Sequence, residues 1–249
     1  MDLKLGKKKY ETSEKDFKYS TYADLVKLPT YPNVFGHQTM FQDWGMLGND
    51  TVGDCVFAGA DHETMVWTNE GKKPVKFTDA CALGDYSKVT GYTPNDPNTD
   101  MGTDVREALT YRRKTGIKDS KGKRHKIGAF LLLDQKNLNH ILTAAYLFSA
   151  VGIGLRFPDS AMQQFKQGKP WTVVKGPEPR GGHYVPIIGY DGKYIYCVSW
   201  GKTQAMSIDF FLRYCDEAWA ILSEEFLVDG KSPEGFDLKQ LEQDLSSLK

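Results

Sequence analysis

Cysteine is scarce in this chain, and the four present, Cys55, Cys81, Cys197 and Cys215, include no Cys-x-x-Cys pair. That spacing argues against a zinc site and against a disulfide framework, so all four are read as reduced thiols. Excess charge is missing too. Thirty-two basic residues balance 32 acidic ones, which leaves no global field to hold nucleic acid or an anionic membrane, and neither is expected as a partner. No window approaches eighteen uninterrupted apolar residues, and the first twenty, MDLKLGKKKYETSEKDFKYS, are charged where a signal peptide needs an apolar core. The expectation is a cytoplasmic protein with no cofactor, no metal, no internal repeat and no low-complexity segment.

What is present is a chain of 249 residues, 40% hydrophobic, long enough for one large domain or two lobes. It is organised around Leu47–Gly71, LGNDTVGDCVFAGADHETMVWTNEG, where a Gly- and Asp-rich turn runs into a helical segment that starts at Cys55. The N–H groups and dipole of a helix start stabilise an anion, so a thiol there can become a nucleophile. A cysteine beside Val56 and Phe57 is also what an ordinary core position carries. His183 follows 128 residues later in Arg180–Tyr190, RGGHYVPIIGY, at the head of an alternating apolar run. His62 shares a helical face with Cys55, but seven residues place it roughly 10 Å along the axis, so it is read as a packed core histidine.

Ahead of this stretch, residues 1–40 read as an arm that packs through Tyr19, Tyr22, Leu25 and Val26, with Lys7-Lys8-Lys9 as a solvated face. Helices are expected over Lys76–Tyr92, Val105–Thr115, Asn137–Ala150, Ala161–Gln167 and Ser207–Trp219. Strands are expected over Val151–Phe157, His183–Tyr190 and Lys193–Trp200, with Ala220–Leu222 as a further short one. Asp96, Asn98, Asp100, Asp104 and Glu107 stand at offsets resembling a calcium loop, but Met101 replaces the required glycine. Asx turns and an N-cap at Thr103 or Asp104 account for these residues without a metal. His125 and His140 are expected at the surface. Asp191-Gly192 suits a two-residue hairpin turn, whose register pairs His183 with Trp200 and Val185 with Val198 while Ser199 points to the other face. Residues 226–249 read as a polar tail with an amphipathic segment, Leu238–Leu248.

Over roughly residues 40–222 these motifs resemble, in order, the papain-like cysteine peptidases. Asp43-Trp44 is similar to that family's Asp-Trp, and Asn49 stands six residues before Cys55, where the family has its oxyanion glutamine. Gly102–Ile117 resembles its glycine-led helix, Val151–Gly168 its strand and Phe-x-x-Gly segment, and Ser199-Trp200-Gly201 the end of its Asn-Ser-Trp-Gly motif. The Cys-to-His separation is close to the family's roughly 130 residues or more. The resemblance implies an α+β, two-lobe fold, with a helical lobe over about 41–117 and an antiparallel β lobe over about 127–222. It implies Cys55, His183 and Asn49 as the catalytic set, acting on a peptide or protein substrate. The family's Cys-Gly-Ser-Cys-Trp signature is absent here, its long inhibitory propeptide has no counterpart in residues 1–40, and Val198 stands where the family has the asparagine that orients the imidazole.

Two functions are therefore open. One is a thiol hydrolase of peptide or other amide bonds working through a Cys55–His183 dyad. The other is a catalytically inactive papain-like module with a binding or structural role, for instance in a virus particle. The oligomeric state is not readable from the residues.

Overall fold

The computed structural model describes residues 3–14, 16–21, 30–176 and 178–226. Tyr22, Leu25, Val26 and the tail beyond Phe226, including Leu238–Leu248, lie outside them. The helical part comprises α1 (Cys55–Glu70), α2 (Asp79–Thr90) and α3 (Val105–Lys114), followed by the small β2 (Ile117–Lys118) and β3 (Arg124–His125) pair. The β part contains β4 (Ala129–Leu133), β5 (Val151–Phe157), β6 (Gly181–Tyr190), β7 (Tyr194–Ser199), β8 (Lys202–Ser207) and β9 (Cys215–Leu222). These run in the order β4-β9-β5-β6-β7-β8, all antiparallel, and β1 (Phe35–Gly36) adds to the far end of β6. Helices α4 (Leu138–Phe148), α5 (Asp159–Lys166) and α6 (Ile208–Tyr214) pack around the sheet. Ser207–Trp219 thus divides into a short helix and the head of a long strand. No described helix is long and apolar enough to cross a membrane.

Local chemistry explains the helix ends. The Asp104 carboxylate accepts the Glu107 N–H at 3.0 Å, capping α3, and Arg112, Arg113 and Lys114 complement the dipole in its last turn. Asp96 accepts the Asn98 N–H as an Asx turn, while Asp100 takes the Gly53 N–H and the Tyr86 hydroxyl. The calcium-like spacing is therefore occupied by caps and cross-links.

Helix α1 is buried on almost every side, so its polar residues must find partners inside. Thr64 and Thr68 bond back to the carbonyls of Ala60 and Thr64. His62 meets the carbonyls of Trp44 and Gly45 at 3.1 and 3.0 Å, which fixes the loop before the helix and agrees with a packed core histidine. Glu63 is wholly buried, 2.6 Å from the Arg112 guanidinium, and also accepts the Tyr184 hydroxyl at 2.7 Å. Tyr184 reaches it across two glycines. A Cβ on Gly59 would lie 2.6 Å from the tyrosine ring, and one on Gly152 only 1.8 Å from its hydroxyl. The helix and the sheet can approach this closely only because both positions lack side chains.

Two histidines differ from expectation. His125 is buried between Asp119 and Glu225, at 3.1 and 2.8 Å, because the β2–β3 turn folds back instead of projecting. His140 is half-buried with its ring against Tyr19.

Arg112→Leu tests the buried clamp, because it leaves the Glu63 carboxylate without its countercharge. Removing one partner of such a pair costs about 3–5 kcal/mol, and urea unfolding should register a loss of that size. A loss under about 1 kcal/mol would mean that the pair is not shielded from water.

Candidate active site

Cys55 opens α1 with 1% of its surface exposed, following Asp54, whose buried carboxyl is pushed well above its usual range by desolvation. The backbone amides of Tyr184 and Gly6 lie near the Cys55 thiol. They favour the thiolate, yet burial outweighs them and pushes the thiol up to about 12. His183 precedes Tyr184 on β6, and strand alternation turns its side chain away from the α1 face that the Tyr184 ring occupies, so among the described residues no hydrogen bond joins the imidazole to the thiol. The His183 ring stacks on Trp200 with centroids 4.1 Å apart, and Phe157 meets it edge-on at 5.2 Å. Burial alone lowers its pKa to about 3. Between pH 5 and 8 both groups are neutral in this state.

Ser199 was missed by the sequence reading. Its Oγ is 2.8 Å from His183 Nε2, whereas Nδ1 is buried with no hydrogen-bond partner among the described residues. The expected register placed Ser199 on the opposite face, and two local features overturn that. The Asp191 carboxylate accepts the N–H groups of Lys193 and Tyr194, which moves the turn one residue on, so Tyr190 pairs with Ile195. A bulge between Ile187 and Gly189 then inserts one extra residue and pairs Ile187 with Cys197. Since strand faces alternate, that single insertion brings Ser199 to the His183 side and turns Val198 away. Val198 packs instead with Trp44, Val66 and Ile188. An irregular strand opposite a histidine is the only sequence-level hint, and it is a weak one.

Asn49, the third expected site residue, lies in the loop before Cys55, where its side-chain amide donates to the Val52 carbonyl at 3.1 Å. It is buried beside Asp54.

The arm supplies what the sequence reading did not anticipate. Instead of forming a solvated stretch, residues 4–8 bridge β6 and the segment ahead of α3, with Gly6 against Gly53. The Lys7 N–H donates to the Gly182 carbonyl at 3.0 Å, the Thr103 N–H to the Gly6 carbonyl at 2.7 Å, and the Lys8 N–H to the Thr103 carbonyl at 2.9 Å. Trp200 Nε1 donates to the Lys4 carbonyl at 3.3 Å. Gly6 touches backbone on both sides: a Cβ there would fall 1.7 Å from the Gly53 carbonyl oxygen, and a Cβ on Gly102 would fall 2.1 Å from that of Gly6. Lys7, assigned above to a solvated face, has a fully buried side chain, paired with Glu217 at 2.8 Å and Asp216 at 3.0 Å. All four cysteines are unpaired, and no group of three or more His, Cys, Asp or Glu among the described residues could hold a metal.

No protein-family model matches the sequence, and no curated protein matches it. Solved structures do resemble it. Xylellain, a cysteine protease from Xylella fastidiosa, superposes with a TM-score of 0.67 over 90% of this chain and 98% of its own, at 16% identity. The Carica candamarcensis cysteine protease CMS1MS2 gives 0.56 over 78% of this chain and 99% of its own, at 13% identity. Digestive procathepsin L 3 of Tenebrio molitor gives 0.58 over 78% and 71%, at 12% identity. The chain has the papain-like cysteine protease fold, mixed helix and antiparallel sheet in two lobes, as the motif order implied.

Two outcomes check this geometry. Val198→Asn should leave Cys55 reactivity unchanged and cost about 1–3 kcal/mol in thermal stability, since it buries an amide among apolar side chains. Faster alkylation in that variant would mean that the register is wrong. Lys7→Ala removes charge-assisted bonds worth about 1.5–3 kcal/mol, so the arm should open more often. Cys55 should then react with iodoacetamide at least about tenfold faster at pH 7 than in the wild type, with Cys81 as the internal reference. Equal rates in the two proteins would show that the arm does not guard the thiol.

Proposed function

We propose that the protein is a thiol hydrolase of peptide or other amide bonds, with Cys55 as nucleophile and His183 as general base and then acid. What supports this reading is the papain-like fold, with a thiol at the start of α1 and, on the β6 strand packed against that helix, an imidazole bonded to Ser199 whose buried Nδ1 has no partner among the described residues. With the Nε2 proton donated to Ser199 Oγ, the lone pair falls on Nδ1, the nitrogen available to take the thiol proton. Sγ would then attack the carbonyl carbon. Helix-start N–H groups, with the Asn49 amide freed from Val52, would hold the oxyanion, and the imidazolium would protonate the leaving amine. Water would release the acyl group by the same steps in reverse roles. Ser199 acts as a positioning residue, in the place where the family's asparagine would serve.

The arm-covered state is chemically silent, because a neutral thiol and a neutral imidazole cannot form a thiolate–imidazolium pair while both are desolvated. Displacing residues 4–8 would admit water, bring the thiol down and the imidazole up, and open the carbonyl-binding groove. The covered thiol is also the observation that favours the alternative, a papain-like module serving as a binding or structural part of an assembly such as a virus particle. The unpaired thiols fit a reducing, cytoplasmic setting for either role.

Turnover of fluorogenic peptide amides by the full-length Lys7→Ala chain separates the two. Hydrolysis is expected, abolished by Cys55→Ala and lowered about 10²–10⁴-fold by His183→Ala. Ser199→Ala should lower kcat by a smaller factor and narrow the pH profile. Turnover that survives Cys55→Ala, or none with any peptide, would contradict the hydrolase reading.

A further inference from the structure

We propose that the charge on His125 latches residues 223–226 to the body of the protein, and that this latch opens toward alkaline pH by releasing Glu225 while keeping Asp119. The proposal is independent of the hydrolase reading. It concerns the opposite end of α1 from Cys55, where Gly71 follows the helix.

Three parts of the chain meet at this imidazole. His125 lies on β3, Asp119 stands in the β2–β3 turn, and Glu225 belongs to the segment that leaves β9 at Leu222. Nε2 is 3.1 Å from Asp119 Oδ2 and Nδ1 is 2.8 Å from Glu225 Oε1, so each ring nitrogen faces a carboxylate. Only the imidazolium has two N–H groups to give. A neutral ring has one, and its second nitrogen turns a lone pair on the remaining carboxylate. The other charged groups at this cluster are Lys123 from the turn, 3.8 Å from Glu225, and Lys73 from the loop after α1. Burial, the largest influence, and Lys123 push the imidazole down, but its bonds to the two carboxylates outweigh them and hold it above its ordinary value of 6.5.

The two acids are unequal when the ring loses its proton. Asp119 is 3% exposed, and its Oδ1 also accepts the N–H groups of Lys121 and Lys123 at 2.9 Å each, so its own turn keeps it in place. Glu225 is 21% exposed, and its other ion-pair partner among the described residues is the distant Lys123 ammonium, so water can take the carboxylate over. The bond that yields is the one to Glu225. Its loss matters to the backbone, because the segment is seated tightly: a Cβ on Gly71 would fall 2.0 Å from the Glu225 carbonyl oxygen, and Phe226 is fully buried in the core. Leu222, in contrast, is fixed by its sheet pairing with Ala129, which puts the hinge just after it. Since the docked imidazole holds its proton more tightly than an ordinary one, docking is fully supported below pH 6.5. That support is lost as pH rises through the raised value, by up to about tenfold in the docking equilibrium per pH unit.

Hydrogen–deuterium exchange of the full-length chain, read by mass spectrometry from about pH 6 to about pH 9 and corrected for the intrinsic pH dependence of amide exchange, tests the latch. Amides of residues 223–226 should keep constant protection up to about pH 6.5 and then lose it by up to about tenfold per pH unit, while β5 stays protected throughout. Glu225→Gln should flatten that profile, because a side-chain amide can donate to the bare nitrogen of a neutral ring. His125→Gln should leave the segment poorly protected at every pH, and if that variant does not fold, Glu225→Gln decides alone. Level protection of the wild-type segment across the range would overturn the proposal. So would a decline that Glu225→Gln shares in full, one that β5 follows in parallel, or protection that His125→Gln leaves intact.

Discussion

The site depends on Tyr184. Its hydroxyl reaches through the gap left by Gly59 and Gly152 to the Glu63–Arg112 pair, and in doing so it seats the start of β6 against α1. That contact leaves its backbone amide near Cys55 and its neighbour His183 turned to the opposite face of the strand. A helix and a strand distant in sequence are thereby joined, the one opening at Cys55 and the other carrying His183. The cost is a buried ion pair, whose worth lies less in net stability than in fixing one arrangement of the two lobes, a role compatible with the strict demand for glycine on both sides.

Electrostatics at the thiol is a contest between burial and local donors. Two N–H groups and the nearby Lys7 ammonium pull the pKa down, but complete desolvation is the larger effect. The arm contributes to both sides, because Gly6 and Lys7 supply favourable groups while the chain itself excludes water. It is held by backbone bonds to Gly182 and Thr103 and by the Lys7 ammonium between two carboxylates. In the proposed hydrolase the same feature would keep the thiol silent while the arm is in place.

Much of the fold was legible because periodicity and punctuation agree with it. Gly91 and Gly116 follow helices where expected, Asp104 caps α3, and the strands at Val151 and His183 begin within about two residues of their predicted starts. The helix-start cysteine and the strand-head histidine were legible as residue types in suitable local settings. What was lost lay in single-residue shifts. The Ile187–Gly189 bulge swapped Val198 for Ser199 beside the imidazole, and the Gly154–Leu155 irregularity placed two acids on one side. Neither leaves a mark in composition or alternation, since a bulge is decided by packing on both faces of the sheet. Lys7 and His125 were misjudged for a related reason: their partners, Glu217 and Glu225, are 210 and 100 residues away. Long-range charge pairing is invisible to any local window.

The central claim is that Cys55, deprotonated by His183 once the arm has moved, is a nucleophile toward acyl carbon. Intact-mass analysis of the full-length Lys7→Ala chain, quenched in acid after brief exposure to an activated peptide ester, tests it most directly. The account predicts a single acyl adduct that maps to Cys55 and disappears in the Lys7→Ala/His183→Ala protein. No adduct, or one distributed over Cys81 and surface lysines without regard to His183, would contradict it.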